Sequence, residues 1–221
     1  MSAGRRVNTQ SRDWCTPPKY AEAVHRFFFG RLALDPCSNE HSLVNANTHY
    51  NISGKVLGHT PSKGREAFDS LARICDGLKE SWDVPSIYVN PPYGRDKERG
   101  TSIKDWLCRC AAAHRDHESE VLALVPVATN TVHWKQHVFG AAAAVCFLYD
   151  TRLKFWIDGK ESKKGAPMAC AMVLWGREVE CFRRIFSPFG AVVRIEKEIL
   201  NDWLEKQPVL DHAGAAAPGA G

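Results

Sequence analysis

No stretch of this 221-residue chain matches Gly-x-x-x-x-Gly-Lys-Ser/Thr or the full Gly-x-Gly-x-x-Gly fingerprint. Without a glycine-rich phosphate cradle, an ATPase or an ordinary dinucleotide enzyme lacks its usual means of holding a pyrophosphate. No Gly-x-Ser-x-Gly elbow occurs, which removes the support for a serine hydrolase. His133 and His137 are four apart on an expected helix, but no His-Glu-x-x-His pattern accompanies them. The eight cysteines include no Cys-x-x-Cys pair, so they read as small buried hydrophobes and no metal site is expected. No apolar run approaches the length of a bilayer, and the polar, charged residues from Ser2 to Arg12 form no signal-peptide pattern. A reduced, intracellular protein with no membrane association is expected.

What is present is an ordinary globular composition, 44% apolar and 24% charged, with a formal net charge of +4. That charge permits a polyanionic partner without requiring one. The length suits one domain with a substantial core, and no internal repeat is visible. Residues 1–12, with Arg5, Arg6 and Arg12, read as a flexible basic arm, and 206–221 as a disordered tail rich in Ala, Gly and Pro. The domain is expected over 13–205, with exposed loops at 53–66 and 94–102.

Pro17–Phe29 reads as a helix opened by prolines, with Ala21, Val24, Phe27 and Phe28 on its apolar side. Leu32–Leu34 is a short strand ending at Asp35-Pro36. A helix is expected over Ala67–Leu78, a strand over Ile87–Val89, a helix over Ile103–His114 and a central strand over Val121–Val127. Another helix is expected over Thr131–Phe139. Ala143–Leu148, Leu153–Ile157 and Ala169–Leu174 read as antiparallel strands added at the sheet edge. Strand–helix alternation followed by hairpin-like strands predicts one mixed, three-layer α/β domain.

The most informative residues follow the strand at 87–89: Asn90-Pro91-Pro92-Tyr93. An amine on a flat ring is a poor nucleophile because its lone pair is delocalised, so a catalyst must accept its hydrogens and orient the remaining pair. The Asn90 side-chain oxygen and the Pro91 carbonyl can both accept. Two consecutive prolines remove two N–H donors and stiffen the turn. Tyr93 offers an aromatic face for a base. The plain alternative is a strand-ending turn. Its position favours a ligand site, because ligands of open α/β sheets bind outside the carboxyl ends of strands. Asp35, Asn90 and Thr129-Asn130 all follow such ends and define a candidate cleft. Asp35 equally suits a turn cap; Thr16 can cap the first helix, and Trp14 can cover an apolar groove.

Taken in order, Asp13-Trp14-x-Thr16-Pro17, Leu34-Asp35-Pro36-Cys37, Val89-Asn90-Pro91-Pro92-Tyr93-Gly94 and Trp106 resemble the phage-type DNA adenine-N6 methyltransferase (Dam) family over roughly residues 12–176. The resemblance implies a Rossmann-like class I methyltransferase fold, three-layer α/β/α with a mixed sheet. It also implies S-adenosyl-L-methionine as donor and a target adenine turned out of double-stranded DNA. Thr16, Pro17, Asp35 and Pro36 would then lie at the donor pocket, with Asn39 and Asn45 as further candidates. Asn130 is added from its place after the central strand. Asn90, Pro91, Pro92 and Tyr93 would hold the adenine. The setting implied is the cytoplasm or nucleoid of a bacterial or phage-infected host, with no obligate protein partner.

Two departures from common methyltransferases stand out. No glycine occurs in the loop Asp35–Glu40, and the short span from Asp35 to Asn90 leaves little room for two complete strand–helix units. The acidic residue for the donor ribose is therefore open among Asp69, Asp76 and Asp83. Arg95, Lys97 and Arg99, then Lys55, Lys63 and Arg65, are the candidates for DNA phosphates, with solvated loops as the alternative. Cytosine-N4 methylation, a non-catalytic DNA-binding module of the same fold and glutamine side-chain methylation are the competing readings.

Overall fold

Consecutive prolines start the first helix without wasting an N–H, since the first turn has no intrahelical acceptor for it. Helix α1 (Pro18–Phe27) buries Tyr20, Ala21, Ala23, Val24 and Phe27. It ends where Phe29 and Gly30 both take positive φ (52° and 73°), and the Gly30 N–H returns to the His25 carbonyl at 2.9 Å. The computed structural model describes residues 14–51, 71–150, 152–157 and 159–196. After α1 come strands β1 (Leu34–Asp35), β2 (Thr48–Asn51), β3 (Leu71–Ile74) and β4 (Ser86–Val89), then helix α2 (Ile103–His117) and β5 (Glu120–Pro126). A π-helix (Trp134–Phe139), β6 (Ala144–Leu148), a small hairpin of β7 (Trp156–Ile157) and β8 (Lys160–Glu161), β9 (Cys170–Trp175), α3 (Val179–Phe186) and β10 (Gly190–Arg194) complete it.

Eight strands form one mixed sheet in the order β10-β6-β9-β5-β4-β1-β2-β3. The five strands from β3 to β5 are parallel, while β9 runs antiparallel to β5 and β6, and β10 antiparallel to β6. Period-two alternation sends Leu122, Leu124, Met172 and Leu174 to the face covered by α1 and α3. Val121, Ala123, Val125, Val173 and Trp175 face α2 and the π-helix. Each fully buried side chain of this size contributes about 1.5–3 kcal/mol, so the central strands are held from both faces.

The chain leaves β1 towards β2 and β3, then returns to place β4 on the other side of β1. The order therefore reverses between β1 and β4, which are direct neighbours in register Leu34↔Ile87. The carboxyl ends of these two strands carry Asp35 and Asn90, and a crevice at such a reversal is where α/β sheets bind ligands.

Several expectations change. Within its described part, the helix expected over Ala67–Leu78 is instead strand β3 followed by a turn. Leu71-Ala72-Arg73-Ile74 has fair helix propensity, but the parallel ladder with β2 (His49↔Ala72, Tyr50↔Arg73) overrides it. Strands β2 and β3 both fit between Asp35 and Asn90 because the β1–β2 connection is a helix-free loop. The segment Leu153–Ile157 leaves the main sheet and contributes to the β7–β8 hairpin. Helix α3 and strand β10 were not anticipated, and the helix over Thr131–Phe139 is wound mostly as a π-helix. The terminal arm and tail, and the loop at 53–66, lie outside the described residues. No helix among the described residues is long and apolar enough to cross a membrane.

Candidate active site

Strand β4 delivers the turn. Ser86 to Val89 are all buried, Asn90 is half-buried, and Pro91 is buried behind it. The Asn90 Nδ2 donates to the Trp14 carbonyl at 2.8 Å. A carbonyl only accepts, so this bond assigns the nitrogen to that side and leaves the Asn90 Oδ1 as a separate acceptor. Tyr93 is half-buried, and its hydroxyl donates to the Leu124 carbonyl of β5 at 3.2 Å. Burial drives the Tyr93 phenol well above its ordinary range, so it remains protonated and is a hydrogen-bond donor rather than a base.

Three aromatic rings enclose this turn. Trp14 stacks on Phe155 with centroids 4.8 Å apart. Tyr93 stands nearly perpendicular to both, at 5.9 Å from Trp14 and 5.6 Å from Phe155. The segment carrying Trp14 is stitched across the rim. Cys15 and Trp156 exchange backbone hydrogen bonds at 2.8 and 3.1 Å, and the Cys15 Sγ donates to the Asn39 Oδ1 at 3.2 Å. Thr16 Oγ1 lies 2.7 Å from the Tyr88 hydroxyl. Thr16 therefore does not cap α1; Pro17 is the N-cap residue, without a side-chain cap.

Asp35, the last residue of β1, is 3% exposed and sits in a polar nest. It accepts from the Cys37 N–H at 3.1 Å and from the Ser42 hydroxyl at 3.4 Å, while His49 Nδ1 lies 3.8 Å away. The bond to Cys37 makes it a turn residue as well as a rim residue. Burial is the main influence and pushes its carboxyl up to about 7, against the opposing pull of Cys37, Ser38 and Ser42. An unfolded aspartate loses its proton near pH ~4. Between these values the folded chain keeps a proton that the unfolded chain has released, so this group makes stability fall as pH rises through that window. The slope is at most about 1.4 kcal/mol per pH unit. Asp35→Asn, neutral throughout, is expected to flatten it in urea melts at pH 5, 6 and 7; an unaltered slope would assign the effect to another group.

Pro36 is buried, and its carbonyl is pressed by the turn after β3, where a Cβ on Gly77 would collide with it. Trp82 donates from Nε1 to the Gly77 carbonyl at 2.8 Å and packs on Trp106, which ties that turn to α2. Asn39 is half-buried and accepts from the His41 N–H at 2.9 Å. Asn39 and Asn90 are thus bonded to the Trp14–Pro17 segment, and Thr16 bonds that segment to β4. Asn45 and Asn130 are exposed, and no hydrogen bond among the described residues ties either to this group.

The loop after Tyr93 is less open than its composition implies. Asp96 is 3% exposed; it accepts from the N–H groups of Glu98 and Arg99 and pairs with Arg99 Nε at 2.7 Å. Arg99 also reaches Asp76 at 3.3 Å, so its guanidinium is already neutralised. Asp76 is thereby committed to Arg99 and to the Leu78 N–H, and Asp83 is exposed beside His117. Arg95 and Lys97 remain as the exposed cations of the loop. Lys55, Lys63, Arg65 and Asp69 lie outside the described residues.

Phe155 and the Trp14 carbonyl were not legible as site components. Phe155 reads as one more apolar residue in a strand-like run, and a backbone carbonyl has no sequence signal at all.

A family model described as DNA N-6-adenine-methyltransferase (Dam) matches residues 70–199. That span contains Asn90, Tyr93 and Phe155, and leaves Trp14, Thr16 and Asp35 outside it. No curated protein and no solved structure matches the chain.

Proposed function

The chain belongs to the DNA N-6-adenine-methyltransferase (Dam) family, and on that basis we propose that it methylates N6 of an adenine turned out of double-stranded DNA. The fold proposed is the Rossmann-like class I methyltransferase arrangement, with S-adenosyl-L-methionine as donor. The observation that carries the reading is the Asn90 amide, held by the Trp14 carbonyl with its oxygen left to accept, at the reversal of strand order between β1 and β4.

The residues around β1 suit a cationic donor. Asp35 is a buried carboxyl with N–H and hydroxyl neighbours, and no lysine or arginine pairs with it among the described residues. A positively charged small molecule would stabilise its ionised form. Thr16, Pro17, Asp35 and Pro36 are proposed to hold the donor, with Asn39, Asn45 and Asn130 as outer contacts. When bound, S-adenosyl-L-methionine supplies a methyl group activated by an adjacent sulfonium.

The remaining chemistry belongs to the turn. Asn90 Oδ1 and the Pro91 carbonyl accept the two hydrogens of the adenine amine, which turns its lone pair towards the methyl group. As nitrogen becomes bonded to a fourth substituent it gains positive charge, and the same two oxygens stabilise that charge. The surplus proton then leaves to water. No covalent cysteine intermediate is required, because an exocyclic amine attacks without activation of a ring carbon; Cys15 and Cys37 take no nucleophilic part. Burial raises the Cys37 thiol well above its usual range, in keeping with that assignment. Tyr93, Trp14 and Pro92 form the walls against which the base rests. Arg95 and Lys97 are proposed to meet DNA phosphates, as are Lys55, Lys63 and Arg65.

The test is to incubate the purified chain with unmethylated genomic duplex and labelled donor, then digest and identify the labelled nucleoside. N6-methyldeoxyadenosine is expected. N4-methyldeoxycytidine would move the target to cytosine, and retained duplex binding with no labelled nucleoside would reduce the chain to a binding module.

A further inference from the structure

The chain between β6 and β9 makes an excursion whose two sides differ sharply. Backbone hydrogen bonds close it, from the Ala166 N–H to the Leu153 carbonyl at 2.7 Å and from the Ser162 N–H to the Phe155 carbonyl at 2.8 Å. Leu153, Phe155 and Ala166 are buried on its inner side. Through the Trp14–Phe155 stack and the Cys15–Trp156 backbone pair, that inner side is one wall of the enclosure around Asn90.

The outer side is cationic. Arg152, Lys154, Lys160, Lys163 and Lys164 are all exposed. Against them the segment 152–166 has only Asp158 and Glu161, so it holds three of the four net positive charges of the whole chain. Lys154 is paired with Glu161 at 2.8 Å, whereas Arg152, Lys160, Lys163 and Lys164 form no ion pair among the described residues. Gly165 lies against Arg152, where a Cβ would collide with it, and only glycine lets the returning chain pass so close. A groove of about 430 Å³ runs beside Arg152 and Lys154, lined also by Lys19, Asp150, Trp156 and Glu161.

Unpaired like charges gathered on one small hairpin repel one another, and a polyanion relieves that repulsion by taking the place of several counterions. We propose that the hairpin 152–166 is the duplex-gripping element of this protein, with Arg152, Lys160, Lys163 and Lys164 binding DNA phosphates. The inference rests on the DNA methyltransferase reading and adds to it the surface that positions the substrate. Because Phe155 belongs both to this hairpin and to the aromatic enclosure, a phosphate backbone held on the outer side is kept at a set distance from Asn90. These contacts position the duplex and read no base.

The full-length chain tests this by fluorescence anisotropy with a labelled duplex between 50 and 200 mM salt. Each phosphate contact contributes about 0.9 to the slope of log affinity against log salt. Lys163→Gln combined with Lys164→Gln is expected to shallow the slope by roughly 1.8 and to weaken binding at least about tenfold. Methylation at subsaturating duplex should fall by a similar factor, while affinity for the donor measured without DNA stays at the wild-type level, since neither lysine is among the residues proposed to hold it. The paired Lys→Arg variant should keep the wild-type slope. The same loss of charge at Arg26 and Arg31, exposed at the far end of α1, should leave the slope unchanged. Equal slopes for the two glutamine pairs would overturn the proposal. Nucleoside analysis keeps the two readings apart: wild-type methylation with equal slopes removes only the hairpin assignment, whereas unequal slopes without any methylation remove only the catalytic one.

Discussion

Asn90→Ala is expected to lower methyl transfer at least about a hundredfold, while binding of the donor stays close to wild type. One preorganised hydrogen-bonding group aimed at developing charge is typically worth about a hundred- to a thousandfold in turnover. In the proposed mechanism Asn90 takes that position, its Nδ2 anchored on the Trp14 carbonyl. Alanine removes the acceptor and also strips the Trp14 carbonyl of its donor, so both the amine and the enclosure lose a contact. Asn90→Asp separates the two effects. A carboxylate still offers an oxygen to the amine, but its other oxygen faces the Trp14 carbonyl, where two acceptors repel. Partial activity, below wild type and above the alanine variant, is expected. Near-wild-type turnover in the alanine variant, measured with saturating donor and duplex, would remove Asn90 from the chemistry.

Phe155→Ala should cost about 3 kcal/mol of stability and more than tenfold in turnover. The ring is 2% exposed, stacks on Trp14 and meets Tyr93 edge to face, so its loss opens a cavity between the hairpin and the Asn90–Tyr93 turn. Trp14 then loses its stacking partner, and the Asn90 amide that its carbonyl holds loses its fixed direction. Phe155→Leu fills most of the volume and is expected to recover most of the stability, with turnover still reduced because a branched aliphatic side chain cannot stack on an indole. Chemical denaturation and single-turnover methylation read the two quantities separately. Unchanged single-turnover rates in the alanine variant would show that the hairpin and the turn are not coupled through this ring.

The two predictions depend on contacts between segments far apart in the chain, and the residues involved differ in how legible they were. The Asn90–Tyr93 turn could be read directly, because proline and asparagine act on the backbone within one or two residues. The helix over Pro18–Phe27, much of α2 and the buried β5 were equally legible, since hydrophobic period and proline placement are local properties. Strand β3 was misread for the complementary reason. Its four residues have no decisive propensity, and only the ladder with β2 makes them a strand. Arg99 illustrates the same limit at the level of charge. In sequence it is one of three cations in a polar loop, and only the fold brings Asp76 to it beside Asp96.

Residue order alone therefore determined that a rigid, acceptor-rich corner follows a buried strand, and that helices and strands alternate before a run of antiparallel strands. Tertiary structure decided that β4 lies beside β1 at the reversal of strand order, that the Trp14 carbonyl orients Asn90, and that a basic hairpin shares an aromatic ring with the site. The division is physical. Propensity, proline geometry and burial period act over a few residues, whereas strand order, ion-pair partners and ring contacts arise only when distant segments compete for the same neighbours.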